Sequence, residues 1–325
     1  MAHSYIKGLG AYVPDGVLSN ADLEKIVETS DKWITTRSGI KTRHISDENT
    51  PSSELATEAA KIALDNAGME ASELDLVLLG TVCPDMLFPS TACLVAHKLG
   101  TDGIPAFDFS AGCTGFIYGL AIADSFIKSG FYKNILVIGV EELSKLMNWN
   151  DRGTCVLFGD GAGAAIVSPT DDSKKGILDW TLSANGFYGD FIRMPAGGSM
   201  LPASKKTVRE NLHTVFMKGN EVFKLAIRLM TDAGKTVLER SGVSPQEVAW
   251  LVPHQANIRI MEAVASRLGI PKERVVITID KYGNTSAASI PMAMYDARDR
   301  FSQGDYILLV AFGSGFTWGS VLLRW

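Results

Sequence analysis

The feature that most constrains the fold of this chain is an internal repeat. Residues 67–79, Ala-Gly-Met-Glu-Ala-Ser-Glu-Leu-Asp-Leu-Val-Leu-Leu, align without a gap with residues 241–253, Ser-Gly-Val-Ser-Pro-Gln-Glu-Val-Ala-Trp-Leu-Val-Pro. Weaker pairs keep the same order at an offset of roughly 170 residues, which indicates a duplication. These pairs are residues 98–100 with 267–269, a strand reaching Asp108 with a strand reaching Asp280, and residues 135–139 with 306–310.

Apolar strands alternate with helices in both copies of the repeat. This alternation predicts buried, mostly parallel sheets that are covered by helices. The chain would then divide into an N-terminal half, residues 1–170, and a C-terminal half, residues 171–325. The predicted helices are 54–67, 91–99, 113–127 and 220–240, and the predicted strands are 74–80, 104–109, 134–140 and 248–253.

Composition and charge exclude several classes of protein. With 325 residues, 46% of them hydrophobic, the chain can bury a sizeable core. Its net charge of −5 argues against a general nucleic-acid binder. The N-terminus lacks the long apolar region of a signal peptide, and no apolar run reaches the ~18 residues of a membrane span. We therefore expect a cytoplasmic protein that binds neither nucleic acid nor membrane.

The cysteine content favours neither a metal site nor a disulfide scaffold. No CxxC pair and no His-associated zinc spacing is present, so no metal is expected. Too few cysteines are present to hold a small scaffold together, and a reducing compartment is the simplest location. The cysteines are Cys83, Cys93, Cys113 and Cys155.

Three reactive side chains follow predicted strands. Cys113 opens a predicted helix just after a strand, His254 directly follows the repeated strand 248–253, and Asn284 occupies nearly the place of Cys113 in the second copy. Open α/β sheets bind ligands at the carboxyl ends of strands, so the three side chains are expected to share a site. A thiol at a helix N-terminus has a lowered pKa and is a nucleophile. Taken singly, each residue also has a structural explanation, as a buried cysteine, a capping histidine or a turn asparagine.

Motifs spread over essentially the whole chain carry a family resemblance. They include Phe-Gly-Asp-Gly-Ala-Gly-Ala-Ala at 158–165, Val-Pro-His-Gln-Ala-Asn-Ile-Arg at 252–259 and Gly-Asn-Thr-Ser-Ala-Ala-Ser at 283–289. The chain resembles the β-ketoacyl-[acyl-carrier-protein] synthase III family, the initiating condensing enzymes of type II fatty-acid synthesis. The other matching segments are residues 20–25, 33–40, 151–154, 219–224 and 311–319.

The resemblance implies a fold and an activity. The fold is α/β and thiolase-like, with duplicated halves that form a five-layered αβαβα core, usually in a homodimer. The activity is that of an acyltransferase that condenses a primer acyl-CoA with malonyl-acyl carrier protein, giving 3-oxoacyl-acyl carrier protein, CO2 and coenzyme A. No cofactor is implied, since the coenzyme A thioester is a substrate. The primer stays open between acetyl, branched and longer acyl groups, and the alternative function is a related condensing enzyme of secondary metabolism.

The resemblance also implies roles for individual residues. Cys113 would carry the acyl group as a thioester. His254 and Asn284 would donate hydrogen bonds to the malonyl thioester oxygen as negative charge develops on it. The backbone N–H groups of Cys113 and Ser314 would form the oxyanion hole for acyl transfer, although the family usually carries glycine at position 314.

Substrate-binding and interface residues follow from the same matches. Trp33 and Arg152 would sandwich the adenine ring of coenzyme A. Phe88 matches a residue that crosses the dimer interface to shape the acyl pocket. The full set of coenzyme A positions is Thr29, Trp33, Arg37, Arg152, Asn220 and Asn257. The candidates for docking the acidic carrier protein are Lys224, Arg228 and Arg259, of which the first two are four residues apart and share a helix face.

Overall fold

The computed structural model describes residues 3–101 and 103–325. Its strands are β1 (His3–Tyr12), β2 (Val17–Ser19), β3 (Thr42–His44), β4 (Leu76–Gly80), β5 (Ala106–Phe109), β6 (Ile135–Glu142), β7 (Asp160–Thr170), β8 (Gly176–Ala184), β9 (Ile192–Arg193), β10 (Phe216–Met217), β11 (Val248–Pro253), β12 (Tyr306–Gly313) and β13 (Thr317–Arg324). Its α-helices are α1 (Asn20–Leu23), α2 (Asp31–Ser38), α3 (Ser52–Ala67), α4 (Thr91–Leu99), α5 (Gly115–Lys128), α6 (Lys205–Arg209), α7 (Gly219–Ser241), α8 (Ile258–Leu268), α9 (Ile279–Tyr282) and α10 (Ser289–Ala297).

The helix ends follow local signals in the sequence. The hydroxyls of Ser19 and Ser30 accept N–H groups in the first turns of α1 and α2, as serine does at helix starts. Gly68, Gly100 and Gly242 adopt the left-handed conformation and end α3, α4 and α7. Glycine tolerates this conformation because it has no Cβ.

The structure has five layers. One sheet has the strand order β1-β7-β6-β4-β5, and the other has the order β11-β12-β13-β8. Helices α5 and α10 lie between the two sheets, α3 and α4 cover the outer face of the first sheet, and α7 and α8 cover the outer face of the second. The expected αβαβα arrangement is therefore confirmed.

The two sheets repeat one connectivity. In the first sheet β7 lies between β1 and β6, and in the second β13 lies between β8 and β12. β7 and β13 run antiparallel to both neighbours, whereas the β4–β6 and β11–β12 pairs are parallel. Strands β1, β7, β6 and β4 of the first sheet thus correspond to β8, β13, β12 and β11 of the second sheet. The edge strand β5 has no counterpart in the second sheet. β7 ends at Thr170 and β8 begins at Gly176, and the division into halves 1–170 and 171–325 stays a prediction.

Two predictions about the strands are wrong. The sheets are mixed rather than mostly parallel, because β1 and β7, like β8 and β13, pair antiparallel. In the described part of the chain no strand reaches Asp280. Val275 makes only an isolated parallel bridge with Leu251, and Asp280 lies in α9. Asn284 therefore follows a short helix instead of a strand.

The central helix α5 packs between the two sheets. Phe116, Ile117 and Leu120 on this helix pack with Val252 of β11 and Leu309 of β12 in one apolar cluster. Burying each such side chain contributes about 1.5–3 kcal/mol to stability. This packing fixes the start of α5, which directly follows the turn that contains Cys113. Within the described ranges, no helix has the length and apolar character needed to cross a membrane.

Candidate active site

Cys113 lies in a tight turn that is pressed against the other half of the chain. The turn spans Gly112–Thr114 and leads directly into α5. Gly112 has a φ of +55°, and a Cβ there would lie 2.6 Å from the backbone nitrogen of Ser314. A Cβ on Gly313 would lie 2.5 Å from the backbone nitrogen of Cys113. Only glycine permits this approach, which brings the Cys113 and Ser314 backbones together; their role as an oxyanion hole stays a prediction.

His254 is a buried, neutral imidazole. It directly follows β11, is 1% exposed, and its backbone N–H donates to the Val310 carbonyl at 2.8 Å. Its Nδ1 lies 2.7 Å from the Ser289 Oγ, which also accepts the Gln255 N–H at 3.4 Å. The Ser289 hydroxyl is then free to donate to Nδ1, which leaves the ring proton on Nε2. Burial lowers the pKa of His254 to about 3.

Asn284 has its side-chain orientation fixed by the backbone. Its Oδ1 accepts the N–H of Ser286 at 2.9 Å, so its Nδ2 amide group is the end available as a donor. Its own N–H donates to the Leu157 carbonyl at 2.8 Å. Strand β6 passes directly beneath this loop. The contact is so close that a Cβ on Gly139 of β6 would lie 2.6 Å from the carbonyl carbon of Ala287.

Cys113, His254 and Asn284 line one cavity of about 500 Å³, together with Ser286 and Ser314. The structure therefore brings together the predicted catalytic residues and the second oxyanion-hole residue. The remaining wall is largely apolar, as is usual for a small-molecule site. Its apolar members include Val82, Leu143, Leu146, Leu157, Phe158 and Phe312.

The pKa of the Cys113 thiol differs from the sequence-based expectation. Burial raises this pKa to about 12, and the nearby Glu141 carboxyl acts in the same direction. A hydrogen bond with the Ser286 hydroxyl acts in the opposite direction but does not compensate. The predicted lowering is therefore wrong, because removal of water from the site outweighs the effect of the helix start.

The predicted coenzyme A residues gather at one end of the cavity. Trp33 lies beside two guanidinium groups, with the Arg37 Cζ 4.8 Å and the Arg152 Cζ 5.4 Å from its ring centroid. Arg37 and Asn257 line the cavity, and the Asn257 Nδ2 donates to the Arg37 carbonyl at 2.9 Å. Because Arg37 is exposed, it marks the mouth of the cavity.

Of the six predicted coenzyme A positions, Arg37 and Asn257 line the cavity, whereas Trp33, Arg152, Thr29 and Asn220 lie outside its lining. The Thr29 Oγ1 is buried and has no hydrogen-bond partner in the described part of the chain. Asn220 is exposed in the first turn of α7. Their roles in binding stay predictions.

The three candidate docking cations lie on two packed helices. Lys224 and Arg228 are exposed on α7, and Arg259 is exposed on α8. The Arg259 Cζ lies 5.1 Å from the ring centroid of Phe223 on α7. Arg259 and Phe223 both line the cavity, so this basic surface adjoins the mouth.

Phe88 does not line the cavity of its own chain. It is 84% exposed, beside Leu87 at 82%. A predicted contact with the pocket of a second chain requires such exposure, but the contact itself stays a prediction.

Comparison with known proteins identifies the family. Residues 107–186 match the family model described as 3-oxoacyl-[acyl-carrier-protein (ACP)] synthase III, and residues 238–325 match its C-terminal model. The β-ketoacyl-[acyl-carrier-protein] synthase III of Caldanaerobacter subterraneus subsp. tengcongensis is 54% identical over 322 residues, which are 98% of this chain and 97% of the relative. The chain belongs to the β-ketoacyl-[acyl-carrier-protein] synthase III family.

Solved structures of this synthase III family share the fold. The Aquifex aeolicus enzyme is 51% identical with a TM-score of 0.92, over 99% of this chain and 100% of that chain. The Pseudomonas aeruginosa enzyme is 41% identical with a TM-score of 0.92, over 99% and 98% of the two chains. The priming β-ketosynthase of a polyketide biosynthetic pathway is 31% identical with a TM-score of 0.91, over 99% of this chain and 96% of that chain. The predicted thiolase-like fold is confirmed.

Three further residues, not predicted from the sequence, contact or orient the candidate catalytic side chains. Ser286 and Ser289 orient Asn284 and His254, and both lie in a motif that resembles the family. Glu141 lies at the carboxyl end of the apolar strand β6 and is fully buried. An acidic residue that follows directly on a fully apolar strand is the signal that would have indicated it.

His254 is predicted to stay neutral between pH 8 and pH 5, because burial holds its pKa far below the ordinary 6.5. Its contribution to stability is then present above pH 6.5 and is lost progressively as the pH falls from 6.5 towards 3, since only the unfolded chain takes up the proton. Imidazole NMR signals, assigned with His254→Gln and referenced to the other histidines, measure this directly. A His254 titration midpoint near pH 6.5 would contradict the prediction.

Proposed function

We propose that the chain catalyses the initiating decarboxylative Claisen condensation of type II fatty-acid synthesis. A primer acyl-CoA and malonyl-acyl carrier protein would give 3-oxoacyl-acyl carrier protein, CO2 and coenzyme A. Family membership confirms the predicted enzyme class and activity. Among the solved relatives, the polyketide priming enzyme is 31% identical to this chain and the Aquifex aeolicus synthase III is 51% identical. Nothing therefore favours the secondary-metabolism alternative. The observation that carries the proposal is the meeting of Cys113, His254 and Asn284 in one cavity.

In the first half-reaction Cys113 attacks the thioester carbonyl of acyl-CoA. The sulfur–carbon bond forms as the thiol loses its proton, and the coenzyme A thiolate then leaves. The backbone N–H groups of Cys113 and Ser314 would stabilise the tetrahedral oxyanion, and the tight contact between these two backbones supports that role. Donors held in place in this way stabilise developing negative charge without having to reorganise during the reaction.

In the second half-reaction malonyl-acyl carrier protein enters and loses CO2. The electron pair of the breaking carbon–carbon bond forms an enolate, whose negative charge lies on the malonyl thioester oxygen. Nε2–H of His254 and Nδ2–H of Asn284 would donate to this oxygen. The enolate carbon then attacks the acyl group on Cys113, and the Cys113 sulfur leaves with the bonding electrons. A neutral histidine is suited to this role because it donates one hydrogen bond without requiring a proton from solvent.

Substrate binding would use the residues at the mouth of the cavity. Trp33, with Arg37 and Arg152 against its ring, offers an aromatic and cationic surface to an adenine nucleotide. Thr29 and Asn220 would complete the coenzyme A site, with Asn257 at the mouth itself. The exposed Lys224, Arg228 and Arg259 would dock the acidic carrier protein.

The two half-reactions are predicted to respond to different substitutions. Asn284→Ala should acquire an acyl group from acyl-CoA nearly as fast as the parent, while decarboxylation of malonyl-acyl carrier protein falls about 10²–10³-fold, the usual cost of losing one oxyanion donor. Cys113→Ala should show the reverse pattern, with no acylation and residual decarboxylation. Cys93→Ala, which removes an exposed cysteine outside the cavity, is the matched control.

Intact-protein mass after exposure to acyl-CoA and CO2 release from malonyl-acyl carrier protein provide the two readouts. Loss of acylation in Asn284→Ala with normal decarboxylation would show that the roles are assigned wrongly.

Charge reversal on α7 is predicted to weaken carrier-protein use selectively. Lys224→Glu combined with Arg228→Glu should raise the KM for malonyl-acyl carrier protein about tenfold at low salt, because a complementary surface becomes repulsive. Acylation by acyl-CoA should stay within about twofold of the parent, since neither side chain lines the cavity. Lys235→Glu, an exposed position three turns further along the same helix, is the control. A KM equal to that of this control would contradict the docking assignment.

We also propose a homodimer in the cytoplasm. The edge strand β5 has no partner on its outer side in the described chain and exposes Phe107, and the nearby segment 86–88 exposes Met86, Leu87 and Phe88. Unpaired edges and apolar patches of this kind favour association with a second copy. The four free cysteines are consistent with a reducing compartment, which cell fractionation tests.

Sedimentation velocity tests the assembly. The native protein should sediment as two chains of 35.0 kDa, and Phe107→Lys should shift it to a single chain. A native protein that is monomeric at micromolar concentration would contradict the proposal.

A further inference from the structure

Glu141 is a buried carboxyl group to which the mechanism above gives no role. It is the next-to-last residue of the buried strand β6 and is 0% exposed. Its Oε2 accepts the N–H of Val82 at 3.1 Å and the hydroxyl of Thr81 at 3.3 Å. Within residues 3–101 and 103–325, no lysine, arginine or histidine forms an ion pair with it. Burying a carboxylate without a cation costs free energy. If this position served only for packing, an amide or an apolar side chain would be more stable here.

Ser286 connects Glu141 to the nucleophile. Its hydroxyl donates to the Glu141 Oε1 at 3.0 Å. Ser286 and Cys113 line the same cavity, and the Ser286 side chain is close enough to the Cys113 thiol to influence its pKa. The Ser286 backbone N–H donates to the Asn284 Oδ1 at 2.9 Å. Ser286 holds these contacts with a φ of +48°, a left-handed conformation that costs energy for a non-glycine residue and that concentrates at functional sites.

We propose that Glu141 is a positioning residue that holds the Cys113 proton during the reaction, with Ser286 as the relay between them. This role rests on the proposed function of the site. During acyl transfer the Cys113 thiol passes its proton to the Ser286 Oγ, while Ser286 passes its hydroxyl proton to the Glu141 Oε1. The sulfur electron pair forms the bond to the acyl carbon, and coenzyme A leaves as a thiolate that is protonated by solvent.

The same proton returns at the end of the cycle. When the enolate attacks the acyl group, the bond between the Cys113 sulfur and the acyl carbon breaks and the sulfur takes the electron pair. Glu141 then gives its proton back to the sulfur through Ser286. The proton count closes over one turnover, and the site needs no exchange with water to regenerate the thiol.

The electrostatics of the cluster suit this exchange. Burial raises the pKa of Glu141 to about 7, against which its hydrogen bonds act only in part. Three titratable groups face the cluster: Cys113, Cys83 and Asp160. Cys83 hydrogen-bonds Glu141, and the charge of Asp160 raises the pKa of Cys83. Glu142 on the same strand contacts Ser52 and Lys145 instead. A proton acceptor with a pKa near the working pH is the most effective one.

The pH dependence of single-turnover acylation by acyl-CoA tests the relay. In the native protein the rate should rise with pH through about 7 and then level, because only ionised Glu141 accepts the proton. Glu141→Gln should lower the rate at pH 8 about 100-fold and abolish the inflection near pH 7, and Glu141→Asp should restore part of both. Glu142→Gln makes the same chemical change at the neighbouring position, and it should keep the native rate and profile.

Ser286→Gly is the second variant, because glycine accepts the left-handed conformation and keeps the N–H that orients Asn284. It should reproduce the loss seen in Glu141→Gln. Native rate and inflection in Glu141→Gln would overturn the proposal. The proposal would also be overturned if Glu141→Gln were unfolded or inactive while Ser286→Gly kept the native rate and pH profile. Glu141 would then have a purely structural role. Failure of the proposed function is distinguishable, because the native protein itself would take up no acyl group at any pH.

Discussion

The site depends on one backbone contact between the two halves of the chain. The turn that carries Cys113 meets the end of β12 so closely that neither Gly112 nor Gly313 has room for a Cβ. The first copy of the repeat supplies Cys113, and the second supplies His254 and Asn284. The contact therefore determines the distance between the residue proposed to carry the acyl group and those proposed to stabilise the enolate. Helix α5, packed between the two sheets, holds this contact in place.

Burial shifts the pKa of three groups at or beside the cavity. The same burial lowers the pKa of His254 to about 3 and raises the pKa of Cys113 and of Glu141. Each shift favours the uncharged form. The histidine is thereby kept as a neutral hydrogen-bond donor. A neutral thiol, however, requires a nearby group that takes its proton, and this requirement links Glu141 and Ser286 to Cys113.

The sequence was sufficient to predict the duplicated architecture and the three side chains that meet in the cavity. Periodicity and glycine stops located helices α3, α4, α5 and α7 and strands β4, β5, β6 and β11, because these signals are local. The strand expected to reach Asp280 is wrong because only Val275 bridges the sheet there, and a short apolar run does not distinguish a strand from a loop followed by a helix. The pKa of Cys113 and the contact of Ser286 with Glu141 depend on burial and on chain segments far apart in sequence, which no local pattern encodes.

Peptide mapping after exposure to acyl-CoA tests the central claim most directly. The native protein is incubated with a panel of acetyl-, branched and longer acyl-CoAs, quenched in acid and digested, and the acylated peptide is sequenced by mass spectrometry. We predict a single acyl group, attached as a thioester to Cys113 and removed by neutral hydroxylamine. Acylation at another residue, or no stable acyl group with any of these thioesters, would contradict the account.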